Sequence, residues 1–297
     1  MLGSLDGADG RPLYKGLGAI AWQSLMSTPE PVTFYDQHPF DWIPADASEE
    51  IDSVVSRPLV DLIQSLDVDS LVLDIGCGPG RVLGFLKQRG IRCIGLDRSS
   101  VSLSLAMKRY DRPGAVGDNL HLPFADGTAD VVISDGVIHH TEDPVTAFTE
   151  NLRILKPGGR MYLAVYKPGG RYPILYKFPG GLIRSSQSRR WSKPFVTLFF
   201  QVPYYVVHFL RSRGKRTWSG ARNLFYDYFV TPRVAFLPRH TIEEWAKKQQ
   251  AHIVRYEENR GQNVHSFLVE KEEPNNRRDL IKAGTLEELI EEKQETP

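Results

Sequence analysis

The sequence predicts an α/β fold in which a parallel sheet is covered by helices on both faces. Three observations carry this. Short apolar runs alternate with helix-like segments between residues 48 and 167, the pattern of repeated strand–crossover–strand units. The runs are continuously apolar, as strands buried on both faces are. A glycine loop, Gly76-Cys77-Gly78-Pro79-Gly80, separates the first run from the first helix, and sheets of this kind collect ligands at the carboxyl ends of their strands. The 297 residues are 41% hydrophobic and 25% charged, enough for a packed core. Lys and Arg number 37 against 36 Asp and Glu, so no global field draws the chain to nucleic acid or membrane. Two cysteines, Cys77 and Cys93, exclude a disulfide scaffold and a multi-cysteine zinc site, and no metal is expected. With no apolar leader after positive charges and no uninterrupted apolar run of ~18 residues, a cytoplasmic protein is expected.

The elements follow in order. Leu71 to Ile75 is a buried strand ended by glycines. Arg81 to Arg89 is a helix, with Gly90 at its C-terminal end. Ile91 to Asp97 is the second strand. Ser99 to Arg109 is the second helix, capped by Ser99 or Ser100. Ala115 to Gly117 is a weak third strand and Val131 to Ser134 a fourth. Asp143 caps a helix with Pro144 at its first position, and Lys156-Pro157-Gly158-Gly159 reads as a strong turn after it. Met161 to Tyr166 is the fifth strand. Thr241 to Glu244 reads as a capping box opening a helix. His252 to Glu258 and His265 to Lys271 alternate as two antiparallel strands across an Asn259-Arg260-Gly261-Gln262 turn. A second box, Thr285 to Glu288, opens a short helix in the charged tail.

The glycine loop carries the chemistry. Backbone that approaches a ligand closely must have no side chain in the way, and the helix after it presents unpaired N–H groups. Asp97 ends the second strand 21 residues after Gly76, the spacing at which an acid holds ribose hydroxyls. The dinucleotide fingerprint is broken, because its third glycine falls on Arg81. Asp74, just ahead of the loop, disfavours a pyrophosphate and suits a cationic ligand. A tight strand–helix turn with no ligand is the other reading of these residues.

The run Val72-Leu73-Asp74-Ile75-Gly76-Cys77-Gly78-Pro79-Gly80 resembles the first motif of class I S-adenosylmethionine-dependent methyltransferases. The resemblance continues through Gly95-Leu96-Asp97, through 117–132 and through the turn at 152–159. It points to the branch that includes the ubiquinone and menaquinone methyltransferases. It implies a Rossmann-like, doubly wound sheet of seven strands with an antiparallel last strand and a helical lid insertion. The implied organisation is an N-terminal lid or extension at 1–47, an S-adenosylmethionine-binding core at 48–167, a substrate-lid insertion at 168–240, a completing helix and hairpin at 241–271, and a charged tail at 272–297. Carried over by position, Asp74 sits near the ammonium and sulfonium of S-adenosyl-L-methionine, and Gly76, Cys77, Gly78 and Gly80 wrap its methionine part. Asp97, followed by Arg98, accepts the ribose hydroxyls. Asp118 faces the adenine amino group, with Asn119 and Leu120 beside the ring. Ser134 and Asp135 border the crevice after the fourth strand.

Methyl transfer needs alignment and exclusion of water, and a base only where the nucleophile arrives protonated. His139 and His140 follow the fourth strand. Either one of them takes a proton from the substrate, or the pair braces the sheet end. His38, His121, His208, His240, His252 and His265 have no partner pattern and read as structural or surface residues. Tyr35 and Phe40 form part of a lid over the cofactor or pack ordinarily. Cys77 has no nucleophilic role.

Residues 168–240 hold 13 basic residues against the single acid Asp227, flanked by many aromatics. The favoured reading is a lid for a small-molecule or lipid-like acceptor, with Tyr226, Asp227 and Tyr228 as substrate contacts alongside Tyr35. Within it, the apolar segment 195–210 suits a pocket wall or peripheral membrane contact. Less favoured is a tRNA or other RNA acceptor, with basics on phosphates and aromatics on bases. A helical packing or dimer surface is the third reading, and a non-catalytic cofactor-binding protein stands as a different class. The acceptor, its reacting atom (O, C or N) and the oligomeric state are left open.

Overall fold

The computed structural model describes residues 34–40, 56–187, 193–211, 218–258 and 263–273. The rest of the N-terminal extension, the Asn259–Gln262 turn, Arg189, Arg190, Trp191, Arg213, Lys215, Arg216 and the tail helix at Thr285–Glu288 lie outside the described residues.

The elements are α1 (Phe34–Gln37), α2 (Arg57–Gln64), β1 (Leu71–Ile75), α3 (Arg81–Gln88), β2 (Arg92–Asp97), α4 (Ser100–Tyr110), β3 (Gly114–Val116) and β4 (Ala129–Asp135). After a single turn at Ile138–His140 come α5 (Pro144–Arg153) and β5 (Leu155–Tyr166). The insertion is helical: α6 (Tyr172–Lys177), α7 (Pro179–Gln187), α8 (Lys193–Val196), α9 (Val202–Arg211) and α10 (Trp218–Phe225). Thr197–Gln201 and Tyr226–Val230 are π-helical turns within it. α11 (Arg239–Lys248), β6 (Ala251–Glu258) and β7 (Val264–Lys271) complete the chain's described part.

The sheet has seven strands in the order β3-β2-β1-β4-β5-β7-β6. β1 to β5 are parallel, and β7 runs antiparallel to both β5 and β6. This is the predicted doubly wound sheet with its antiparallel last strand. Alternate residues of β1 feed two cores: Leu71, Leu73 and Ile75 pack with Phe148, Leu152 and Ile242 on one face. Val72 packs with Leu59, Leu83 and Leu103 on the other. Burial on both faces explains why the strand is apolar without alternation. Among the described residues no helix is long and apolar enough to cross a membrane.

Caps set the ends of the crossover helices. Ser99 Oγ accepts from the Ser102 amide, and Asp143 Oδ1 accepts from the Val145 and Thr146 amides at 3.2 Å. Two expected boundaries are corrected. Lys156 to Gly159 does not separate helix from strand. It is a bulge within β5, where Leu155 pairs with Ala129 and Arg160 with Val131. The helix expected to open at Thr241 starts at Arg239 after Pro238. The expected box partners Thr241 and Glu244 therefore lie inside the helix, and Glu243 accepts from Arg239 Nε at 2.6 Å.

The insertion leaves the sheet after Tyr166 and returns beside it. The Ala235 amide donates to the His139 carbonyl at 2.8 Å, and the Leu237 amide to the Tyr166 carbonyl at 2.9 Å. The N-terminal segment is tied down as well, because Ser99 Oγ donates to Asp36 Oδ1 at 2.7 Å.

Candidate active site

The carboxyl ends of β1, β2, β4 and β5 open into one cavity of about 440 Å³. Its floor is the glycine loop. The chain turns from β1 into α3 within five residues, which requires left-handed backbone: φ is 78° at Gly76 and 52° at Gly78. A Cβ at Gly76 would meet the Val137 side chain at 2.4 Å, whereas one at Gly78 would meet nothing within 4 Å. The open side at Gly78 is therefore a cradle where a ligand can lie against bare backbone.

Two acids flank this cradle. Asp97 Oδ2 accepts from the Gly78 amide at 2.7 Å and Oδ1 from the Ser99 amide at 2.8 Å. Burial raises its pKa, and these two amides hold it back. Each carboxylate oxygen keeps a lone pair, which fits a pair of ribose hydroxyls. Asp74 is 2% exposed, and its Oδ2 has no partner. Burial, then the nearby Asp135, pushes its pKa up to about 8. An orphaned buried carboxylate is what a cationic ligand satisfies. Further along, Leu120 donates to Asp118 Oδ1 at 3.0 Å, and the buried Asn119 amide group has no partner on either atom. These residues fit S-adenosylmethionine: acids toward its cation and its ribose, an unsatisfied amide toward its base, and bare backbone between.

Of the expected cofactor residues, Gly76, Cys77, Gly78, Asp97, Arg98, Asp118, Asn119, Leu120 and Asp135 line the cavity. Asp74, Gly80 and the fully buried Ser134 stand behind its wall. Cys77 is buried, and burial followed by the Asp74 charge holds its thiol well above the usual range, which leaves it unreactive. Sequence reasoning missed Arg81, which forms an ion pair with Asp135 across the cavity. The signal was present in the broken third glycine position.

The far end of the cavity is built by the lid and the insertion. Tyr35, His38 and Phe40 cover it from α1 and the residues after it. His140, Tyr166, Asp227 and Arg233 line it from the sheet side and the insertion. His140 Nδ1 lies 2.8 Å from the Arg233 carbonyl. A carbonyl only accepts, so Nδ1 carries the proton and Nε2 keeps its lone pair. Burial pushes this imidazole down to about 4, so it is neutral near pH 7. His139 is 1% exposed, lies tilted against Tyr166 with ring centroids 4.2 Å apart, and has neither ring nitrogen bonded. It lies beside His140, ring centroids 4.2 Å apart, and is not among the residues that line the cavity. Tyr166 Oη donates to Asp227 Oδ2 at 2.6 Å. Burial pushes Asp227 up to about 6, with the Tyr166 hydroxyl pulling it back.

The four expected substrate contacts divide. Tyr35 and Asp227 line the cavity. Tyr226 lies one layer back, stacked on His38 with ring centroids 3.9 Å apart. Tyr228 turns to the β7 side, where its hydroxyl accepts from Asn263 Nδ2 at 2.7 Å. His38, expected to be structural or surface, is instead part of the cavity lining.

Comparison with known proteins fits this geometry. Residues 73–163 match the family described as a methyltransferase domain. The chain is 36% identical over 111 residues to the tRNA (carboxymethyluridine(34)-5-O)-methyltransferase of Macaca fascicularis, covering 36% of this chain and 16% of that protein. It is 34% identical over 103 residues to the norajmaline N-methyltransferase of Rauvolfia serpentina, covering 32% of this chain and 35% of that protein. The chain spans well under half the length of the curated relatives it matches. A Haloferax volcanii structure, a complex of the Trm112 methyltransferase activator, shares the fold at a TM-score of 0.51 and 17% identity, covering 82% of this chain and all of that one. The glycine loop and the paired acids Asp74 and Asp97 fall within the stretch, residues 73–163, that matches the methyltransferase domain family.

Proposed function

We propose that the chain transfers a methyl group from S-adenosylmethionine to a small-molecule acceptor with an apolar body and a hydroxyl or amine nucleophile, working in the cytoplasm. The observation that carries this is the single cavity joining the glycine loop to a chamber walled by Tyr35, Phe40 and Tyr166 and edged by Asp227 and Arg233. Aromatic walls interrupted by His38, His140, Asp227 and Arg233 suit an acceptor with an apolar body placed by several hydrogen bonds.

When bound, the cofactor supplies a methyl group already activated by its sulfonium charge. The protein's task is then alignment, exclusion of water and management of one proton. Asp97 and the Gly78 backbone hold the nucleoside, and Asp74, behind the loop, acts on its cationic part by charge alone. Asp227 receives the nucleophile's proton at a carboxylate oxygen while Tyr166 orients the carboxylate through the other. His140 offers Nε2 as a second acceptor. Tyr35, His38 and Phe40 keep water out.

An RNA acceptor is the second reading, favoured by the tRNA-methylating relatives. The 111-residue likeness is too short to span both core and insertion, and the chamber wall is aromatic without a ring of cations. The test is transfer of label from methyl-labelled S-adenosylmethionine into a cell extract of the source organism. Label in the organic-soluble fraction, lost with Asp227→Asn, supports the small acceptor. Label in the RNA fraction overturns it.

A further inference from the structure

The insertion carries a helix that faces the wrong way for a water-soluble surface. Along α8, the π-helical turn and α9, the polar Gln201 is buried at 8%, next to Val196 and Tyr205 at 3% and 4%. The apolar residues point out: Phe195 54%, Leu198 62%, Phe199 58%, Val206 47%, Phe209 54% and Leu210 67% exposed. These recur at helical spacing, so they form one outward stripe. α7 packs against α8, and Ile174, Phe178 and Leu182 on α6, α7 and the residue between them add exposures of 61%, 74% and 71%. Scattered apolar side chains on a surface need no account, whereas a continuous face of this kind marks a contact site.

We propose that this face seats in the interface of an anionic lipid bilayer, with the helix lying in the plane of the membrane. Charge selects the occupant. The insertion has 13 basic residues and one acid, and that acid, Asp227, lines the cavity instead of the outer face. Lys177 and Arg211 are exposed immediately beside Phe178 and Leu210. An apolar stripe edged by cations is the makeup of an interfacial helix on acidic lipid. A second copy would bring like-charged rims together. A nucleic acid could stack on Phe195, Phe199 or Phe209, but it would set its charged backbone against the aliphatic Leu198, Val206 and Leu210 between them. No described helix is long enough to span, so the docking is peripheral.

The face also connects to the site. Beneath it, Tyr205 and Phe225 belong to one apolar cluster that reaches Phe34 and Tyr226, and Tyr226 backs His38 in the cavity. The docked face and the chamber thus share one packed cluster, so a bilayer-borne acceptor would be delivered beside the chamber. This last step rests on the function proposed above; the docking does not.

The test is flotation of the full chain with vesicles of phosphatidylcholine alone or of equal parts phosphatidylcholine and phosphatidylglycerol. Flotation with the anionic vesicles, roughly tenfold weaker on the neutral ones, is expected. The triple substitution Leu198→Ser, Phe199→Ser and Leu210→Ser is expected to lower it at least about tenfold, with calorimetric affinity for S-adenosylmethionine unchanged as the check on folding. Should the triple variant misfold, Lys177→Glu with Arg211→Glu must abolish the preference for anionic lipid. The proposal is overturned if the chain stays unbound with anionic vesicles, floats equally with neutral ones, or ignores both sets of substitutions. It is also overturned if the triple variant converts a dimer to a monomer or abolishes binding of a fluorescent single-stranded RNA. Absence of S-adenosylmethionine heat with flotation intact would sink the proposed function and leave the docking standing.

Discussion

The Tyr166 hydroxyl donates to Asp227 Oδ2 at 2.6 Å, joining the last residue of β5 to the π-helical turn of the insertion. One bond thereby fixes the insertion side of the cavity to the sheet that carries the glycine loop. It also splits the duties of the two candidate bases by acidity. Asp227 sits at about 6 and His140 at about 4. The rate constant kcat/KM is expected to rise with pH through about 6, and Asp227→Asn to lower it by roughly 10²- to 10⁴-fold. A pH profile whose acidic limb lies near 4 would assign the proton to His140 instead.

The same carboxyl is costly to fold. Its pKa is raised from 3.8 to about 6 by burial, so the folded chain holds this proton more tightly than the unfolded one. The stability it contributes is complete below about pH 4 and is lost as pH climbs through about 6. Asp227→Asn keeps an oxygen for Tyr166 and removes that loss. The variant should be more stable than wild type at pH 8 by up to about 3 kcal/mol, with the gap closing near pH 4. Thermal melts across that range check it. A gap independent of pH would show that Asp227 is not held in its raised state.

Asp74 is expected to make binding of S-adenosylmethionine release a proton. At about 8 the carboxyl is mostly protonated at pH 7 in the free chain. A cation beside it favours the carboxylate. Up to about one proton should be released on binding S-adenosylmethionine at pH 7. The binding enthalpy will then vary with the ionisation enthalpy of the buffer. Asp74→Asn should abolish that variation and weaken binding.

Asp97→Ala should weaken S-adenosylmethionine by about tenfold to a hundredfold, the worth of hydrogen bonds to a charged group. The Gly78 and Ser99 amides also lose their acceptor, so melting temperature should fall too. Unchanged affinity in calorimetry would refute the ribose assignment.

Gly76 tests the loop's packing. With φ at 78° and the Val137 side chain 2.4 Å from any added Cβ, Gly76→Ala should destabilise by roughly 2 kcal/mol or more. Adding Val137→Ala should recover part of that loss, because it removes the clash and leaves only the backbone strain. Additive effects in a double-mutant cycle would argue against the contact.

The cofactor half of the site was legible because its parts are local. Gly76 to Gly80 and Asp97 sit at set offsets along a strand, a loop and a helix, so spacing alone places them together. The acceptor half is assembled across the chain. His38 meets Tyr226, and Asp227 meets Tyr166, only because the insertion folds back on the sheet. No periodicity encodes such pairs, so the sequence does not single out His38, Tyr166 and Arg233 as cavity lining, nor show that Tyr228 stands outside it. The bulge at Lys156–Gly159 was missed for a similar reason. Pro and two glycines signal a turn, and only pairing with β4 shows that the strand continues through it. At Thr241 the local pattern gave way to Pro238 and to the Arg239–Glu243 pair.

The backbone bond from Leu237 to Tyr166 has an evolutionary consequence. Departure and return of the intervening stretch share one point on the sheet, so its ends are already closed. Lengthening a closed excursion is cheap, about 0.6 kcal/mol for each doubling. Wholesale exchange of that stretch can redirect such a scaffold to new chemistry while the nucleoside-holding half stays untouched.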